Sequence, residues 1–194
     1  MVRFKMAVLF NSMALLLLCF SGCGGGGDSD DGRSISTTKA VIVFSTSLPV
    51  GSPEQIGSVD LVLDLPAGVT LATPAGSIPT GASGILKLSG EAVRFAAQPT
   101  ATTSIIANYT PAAATNNATV RMSTIVAQTN SGLGMNAGEF ATLTCDITPG
   151  VTVTKTDFKP LSSALIGNAS GSKLFDTLGG ITGPASASYI ATLQ

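Results

Sequence analysis

Eleven carboxylates, three cysteines and two Ser-x-x-Lys spacings are what this 194-residue chain offers for chemistry, and it has no histidine. Without histidine there is no Ser-His-Asp or Cys-His relay, and the imidazole that most often ligates zinc is missing. Ser36-Thr-Thr-Lys39 and Ser170-Gly-Ser-Lys173 have a spacing that activates serine when it opens a helix and when Ser-Asp-Asn and Lys-Thr-Gly partners follow. Here the first precedes a strand pattern, the second lies in a Gly-Ser loop, and neither partner follows, so both read as chance. A glycosidase needs two carboxyl groups facing each other across one bond. Asp60 and Asp64 share the polar side of a strand pattern, while Glu91, Glu139 and Asp146 are scattered; Glu91 with Glu139 is the pair to test. Asp28 to Gly32 misses the calcium-loop pattern, because Gly32 stands where the third acid belongs. No catalytic or cofactor-binding residue is therefore expected, and the chain reads as a non-enzyme.

The cysteines divide by position. Cys19 lies in an apolar leader and Cys23 directly follows it, leaving Cys145 alone and an internal disulfide without a second partner. In Phe140-Ala-Thr-Leu-Thr-Cys-Asp-Ile147, the residues Ala141, Leu143, Cys145 and Ile147 share one face of an alternating pattern. Cys145 is expected to be buried and inert, a small apolar side chain rather than a nucleophile.

Arg3 and Lys5 form a basic head, Met6 to Phe20 an apolar run, and Ser21-Gly22-Cys23 a small-small-Cys end. The run is short against the ~20 apolar residues of a membrane-crossing helix, and its order of parts is that of a cleaved signal. The end resembles the lipobox of bacterial lipoproteins, with Phe20 where an aliphatic residue is usual. That resemblance implies cleavage after residue 22, export, and lipid on Cys23. The sorting rule of many two-membrane bacteria, with Gly24 rather than Asp after the cysteine, implies the outer membrane. Gly24 to Asp31 (GGGGDSDD) has no hydrophobic residue and reads as a flexible, solvated tether. The expected organisation is a signal over 1–22, a tether over 23–37 and a folded domain over 38–194.

The net charge is −1, and the leader takes two cations and no acid with it. Nothing here suggests nucleic acid, which calls for a basic patch. Charged residues are only 11% of the chain, against about 25% in ordinary domains, so Thr, Ser, Asn, Gly and Ala must build much of the surface.

Beyond the tether the pattern has period two. Strands are expected over Lys39–Thr46, Ser58–Leu65, Val69–Leu71, Ile85–Leu88, Ala92–Phe95, Thr103–Tyr109, Thr119–Ala127, Glu139–Ile147, Val151–Thr156 and Tyr189–Leu193. In the second of these, Asp60, Val62 and Asp64 are expected to face outward. Thr152, Thr154 and Thr156 would line one face of a strand. Pro74 to Gly84 reads as a long loop, and Leu161 to Ile166 as a helical turn or a strand. No window carries a helical stripe. Short strands between Pro/Gly turns predict an all-β antiparallel sandwich.

Three segments carry a further likeness. Ile56-Gly-Ser-Val-Asp-Leu-Val-Leu-Asp-Leu-Pro-Ala-Gly-Val69 runs an apolar strand into a Pro-x-Gly-Val corner, Gly132 to Gly138 is a Gly-rich approach, and Gly138-Glu-Phe-Ala-Thr-Leu-Thr-Cys-Asp-Ile147 is a late strand. Together they resemble the cohesin-like β-sandwich, a family related in fold to cellulose-binding modules, over roughly Ala40 to Thr156. The resemblance implies a jelly-roll, no catalysis, and recognition of a protein partner through one sheet. It leaves room for a structural calcium ion on loop carboxylates and carbonyls. The functional expectation is a lipid-anchored cell-envelope binding or scaffold module. The alternatives are a polysaccharide-binding module, for which two tyrosines and no tryptophan are a poor aromatic platform, and a structural part of an extracellular assembly.

Overall fold

The computed structural model describes residues 37–78, 80–81, 84–128 and 133–194. The leader, Cys23 and the tether up to Ser36 lie outside the described residues.

The strands are β1 (Lys39–Ser47), β2 (Ile56–Asp64), β3 (Val69–Thr70), β4 (Gly76–Ile78), β5 (Leu86–Leu88), β6 (Ala101–Thr110), β7 (Thr119–Gln128), β8 (Glu139–Ile147), β9 (Ser163–Asn168), β10 (Lys173–Asp176) and β11 (Ser186–Leu193). One helix, α1 (Gly90–Ala96), joins β5 to β6. Two sheets form. One runs β11-β1-β8-β3, with β5 also on β8; the other runs β10-β9-β2-β7-β6-β4. Every pairing between strands is antiparallel. The chain is all-β, an antiparallel sandwich as the alternation predicts.

Alternation decides which face each strand buries, because successive side chains point to opposite sides. In β1, Ala40, Ile42 and Phe44 are fully buried while Val41, Val43 and Ser45 are half-buried. β2 buries Val59, Leu61 and Leu63 and turns Asp60, Val62 and Asp64 to the other side, as expected. The core is continuous, and its largest fully buried side chains include Phe44, Phe140, Leu61, Leu143 and Met122. Phe44 packs on Phe140 at 6.3 Å between ring centroids and on Tyr189 at 6.0 Å. Burying one such side chain contributes about 1.5–3 kcal/mol.

Three local expectations need correction. Ala92 to Phe95 is not a strand but lies in α1. A strand would send Ala92 and Phe95 to opposite faces; a helix puts residues three apart on one side, and both are buried while Val93 is 49% exposed. Gly90 opens the helix at φ +48°, and a Cβ there would sit 2.5 Å from the Glu139 carbonyl oxygen, so the turn requires glycine. Val151 to Thr156 is not a strand either: it runs without a ladder into a 3-10 turn over Lys155–Asp157. The Asp157 carboxylate accepts bonds from the Thr154 amide (2.7 Å) and hydroxyl (2.8 Å), so the backbone is satisfied locally instead of across a sheet. The ladder of three threonine hydroxyls therefore does not exist. Within the expected Pro74–Gly84 loop, β4 pairs with β6 and buries Ile78. Leu161 to Ile166, expected as a helical turn or a strand, takes the strand form, entering β9 at Ser163.

The sheet edges differ. β3, β4 and β5 have two or three residues, and β10 is short, carries Lys173 and Asp176, and shifts register against β9. By contrast β11 pairs in unbroken register with β1 over eight residues.

Candidate functional site

Most of the chemistry-bearing residues are dispersed, and most are held in ion pairs or hydrogen bonds. Lys39 of the first Ser-x-x-Lys opens β1 and pairs with Asp146 at 2.5 Å. Lys173 of the second pairs with Asp176 at 2.9 Å, and Ser170 lies in the β9–β10 turn, where its amide donates to Asn168 Oδ1. Lys173 is held in that ion pair, and Ser36 of the first motif lies outside the described residues.

Glu91 and Glu139 do come together. A Cβ on Gly138 would lie 2.9 Å from Glu91 Cγ, and one on Gly90 would lie 2.7 Å from Glu139 Cβ. The Glu91 carboxylate is already engaged: Arg94 lies at 2.5 Å and Asn136 Nδ2 donates to it at 3.4 Å. The cavity beside it, about 270 Å³ and lined in part by Gln55, Arg94 and Gln98, presents amides and a guanidinium.

Asp60 and Asp64 stand on the outward face of β2, each held by hydroxyls of neighbouring strands. Asp60 accepts a bond from Ser123; Asp64 accepts from Thr119 at 3.2 Å and from Ser162. They are rungs of a polar ladder, and Asp64 with Thr119 also lines a cavity of about 480 Å³ beside Asn116 and Asn117.

Cys145 is wholly buried. Desolvation, and secondarily the neighbouring Asp146 charge, push its thiol up to about 12, so at neutral pH it is the unreactive protonated form. Among the described residues no group of three or more His, Cys, Asp and Glu could hold a metal ion. Nor does any helix among them have the length and apolarity to cross a membrane. Cys23, the expected lipid site, lies outside the described residues.

Two surfaces remain that the sequence reading did not single out. On the outer face of the six-stranded sheet, Ile106 and Ile125 are 52% and 59% exposed. Ser104 faces Ile125 and Ile106 faces Ser123, so the two isoleucines lie on a diagonal of the β6–β7 pair. Asp60 follows in the row of Ser123, and Val62 and Asn108 flank Arg121 in the next. The signal was legible: both isoleucines fall on the polar phase of otherwise alternating strands. The second surface is a groove of about 430 Å³ between β11 and residues 155–161, lined by Phe158, Leu161, Tyr189 and Ile190, with Lys155 and Lys159 also on its wall. Phe158 and Tyr189 meet edge-on at 6.5 Å, and the Tyr189 hydroxyl donates to the Lys159 carbonyl. Residues so far apart in sequence gave no local pattern to find.

No protein-family model matches the chain, and no curated protein or solved structure does.

Proposed function

We propose that this protein is a lipid-anchored module of the bacterial cell envelope, with a cohesin-like sandwich that holds a protein partner and performs no catalysis. The observation that carries this reading is the exposed face around Ile106 and Ile125. An apolar centre framed by Asp60, Asn108 and Arg121 has the core-and-rim composition of a protein interface. The engaged carboxylates of Asp60, Asp64, Glu91 and Asp146 point the same way. Against the polysaccharide alternative, the phenylalanine and tyrosine rings among the described residues are buried or half-buried, so none stands free as a sugar platform. The Cys23 lipobox supplies the address, and the outer membrane is the proposed location.

The test is capture from mild-detergent envelope extracts by the full chain and by Ile106→Glu/Ile125→Glu. One protein retained by the first and lost by the second, with melting temperature unchanged, is the expected result. Retention of the full chain on cellulose or chitin instead would transfer the function to the polysaccharide reading.

A further inference from the structure

We propose that the free edge of β11, with the groove beside it, takes up an extended carboxylate-bearing segment of a partner protein as an added strand. The inference rests on the reading of this protein as a contact module, and it concerns the other sheet from the Ile106–Ile125 face.

An edge strand presents unpaired N–H and C=O groups at every second residue, and folded proteins normally blunt such edges. The devices are short length, charge, proline, a bulge or a covering segment. The other edges use them: β3, β4 and β5 are very short, and β10 is short, charged and shifted in register. The sequence of β11, Ser-Ala-Ser-Tyr-Ile-Ala-Thr-Leu, has no charge, proline or glycine, and pairs with β1 without a bulge. Residues 155–161 stand beside it but do not cover it. Their recorded hydrogen bond to β11 comes from the Tyr189 side chain, and no main-chain group of β11 bonds to them among the described residues.

Main-chain groups in a row recognise another extended backbone, and the groove then receives every second side chain of the added strand. On that inner side stand Phe158, Leu161 and Tyr189, which suit apolar residues; on the outer side Ile190 is 70% exposed. Charge sets the rest of the partner's chemistry. Lys155 and Lys159 have no carboxylate within ion-pair distance among the described residues. Asp157, between them in sequence, has its carboxylate turned back onto Thr154. Lys159 Nζ donates to the Thr156 carbonyl at 3.4 Å and its charge also bears on Asp157, but with no ion pair at either lysine the groove keeps a net positive charge, which selects a strand that alternates apolar residues with Asp or Glu. A second copy of this chain suits the edge less well, because its own 155–161 segment would add two lysines against one acid, Asp157, whose carboxylate is bonded to Thr154.

The full chain is immobilised and offered a displayed library of random peptides, then two capped decapeptides alternating valine with glutamate or with lysine. Expected are enriched peptides that alternate apolar and acidic residues, retention of the glutamate peptide, and release of the lysine peptide. Lys155→Glu/Lys159→Glu, both exposed changes, weakens the glutamate peptide by about tenfold, and rising salt weakens it too. Methylating alternate amide nitrogens of that peptide abolishes binding. Enriched peptides with apolar residues three and four apart, or binding indifferent to amide methylation, overturn the assignment. So does dimerisation of the full chain that disappears in Ile190→Lys. Loss of envelope-partner capture in Ile106→Glu/Ile125→Glu, with no peptide retained at the edge, sinks the edge alone. Failure of the full chain to capture any protein sinks the module reading, whatever the peptides do.

Discussion

Cys145 shows how one environment removes a reactive group from service. Its thiol is held up near 12 by burial, while an unfolded thiol titrates near 8.5. The folded state therefore binds more protons between those values. Stability is full below the unfolded value and declines as pH rises through the alkaline window toward the folded one. Denaturant melts across that window are expected to lose less stability on raising pH for Cys145→Ala than for the parent. The same burial makes Cys145 silent to thiol reagents in the folded chain and reactive after denaturation, which a labelling time course measures. Cys23 is the opposite case on the proposed reading, a cysteine whose use its neighbours in sequence would set. Cys23→Ala is expected to abolish incorporation of labelled fatty acid and to release the protein from the membrane fraction.

Among the elements, α1 and the β10 turn carry the sharpest expectations. Phe95 is 2% exposed and anchors a helix of seven residues, too short to persist without packing. Phe95→Ala is expected to cost about 3–5 kcal/mol in denaturant unfolding, and Val93→Ala, on the exposed side, within about 0.5 kcal/mol of nothing. At the end of β10 the Asp176 carboxylate accepts bonds from Lys173, from the Gly179 amide at 2.8 Å and from the Leu178 amide at 3.0 Å. The Lys173 ammonium first, then the Gly179 amide, hold it below the usual carboxylate range. A depressed carboxylate stabilises the fold above its unfolded value and loses that contribution as pH falls through the folded one. Between pH 4 and acid, Asp176→Asn is accordingly expected to flatten the decline in melting temperature. These elements mark where the sequence could be read. Strands with an apolar face, such as Val59-x-Leu61-x-Leu63, announce themselves, because burial and period coincide. Ala92-Val-Arg-Phe95 misleads, since four residues fit two periods and only Gly90 at positive φ selects the helix. Lys155-Thr-Asp157 misleads because β-branched threonines favour strands while one carboxylate, three residues on, folds the backbone back. Glu91 and Glu139 were named as a pair without a local pattern to place them together, and the β11 groove was not legible at all, as both arise from contacts between distant segments.

In the whole molecule, the first and last strands are partners. β1 pairs with β11 from Ala40–Leu193 to Ser47–Ser186, and Thr38 and Lys39 both donate their amides to the Gln194 carbonyl. Pairing across nearly the full sequence is slow to form, so refolding in milliseconds to seconds is expected by stopped flow. Deleting residues 186–194 would strip the cover from Phe44 and Ala40; loss of the cooperative thermal transition is the expected outcome. The position of β1 also has a mechanical meaning. It is an interior strand, gripped by β8 on one side and β11 on the other, and it is the first strand of the domain in sequence. If the chain is anchored through Cys23 as proposed, a pull entering at Lys39 along the strand axis would load the flanking rows of bonds together instead of parting them one by one. A domain tied down by that strand resists shear where a hairpin tied at its open end would peel.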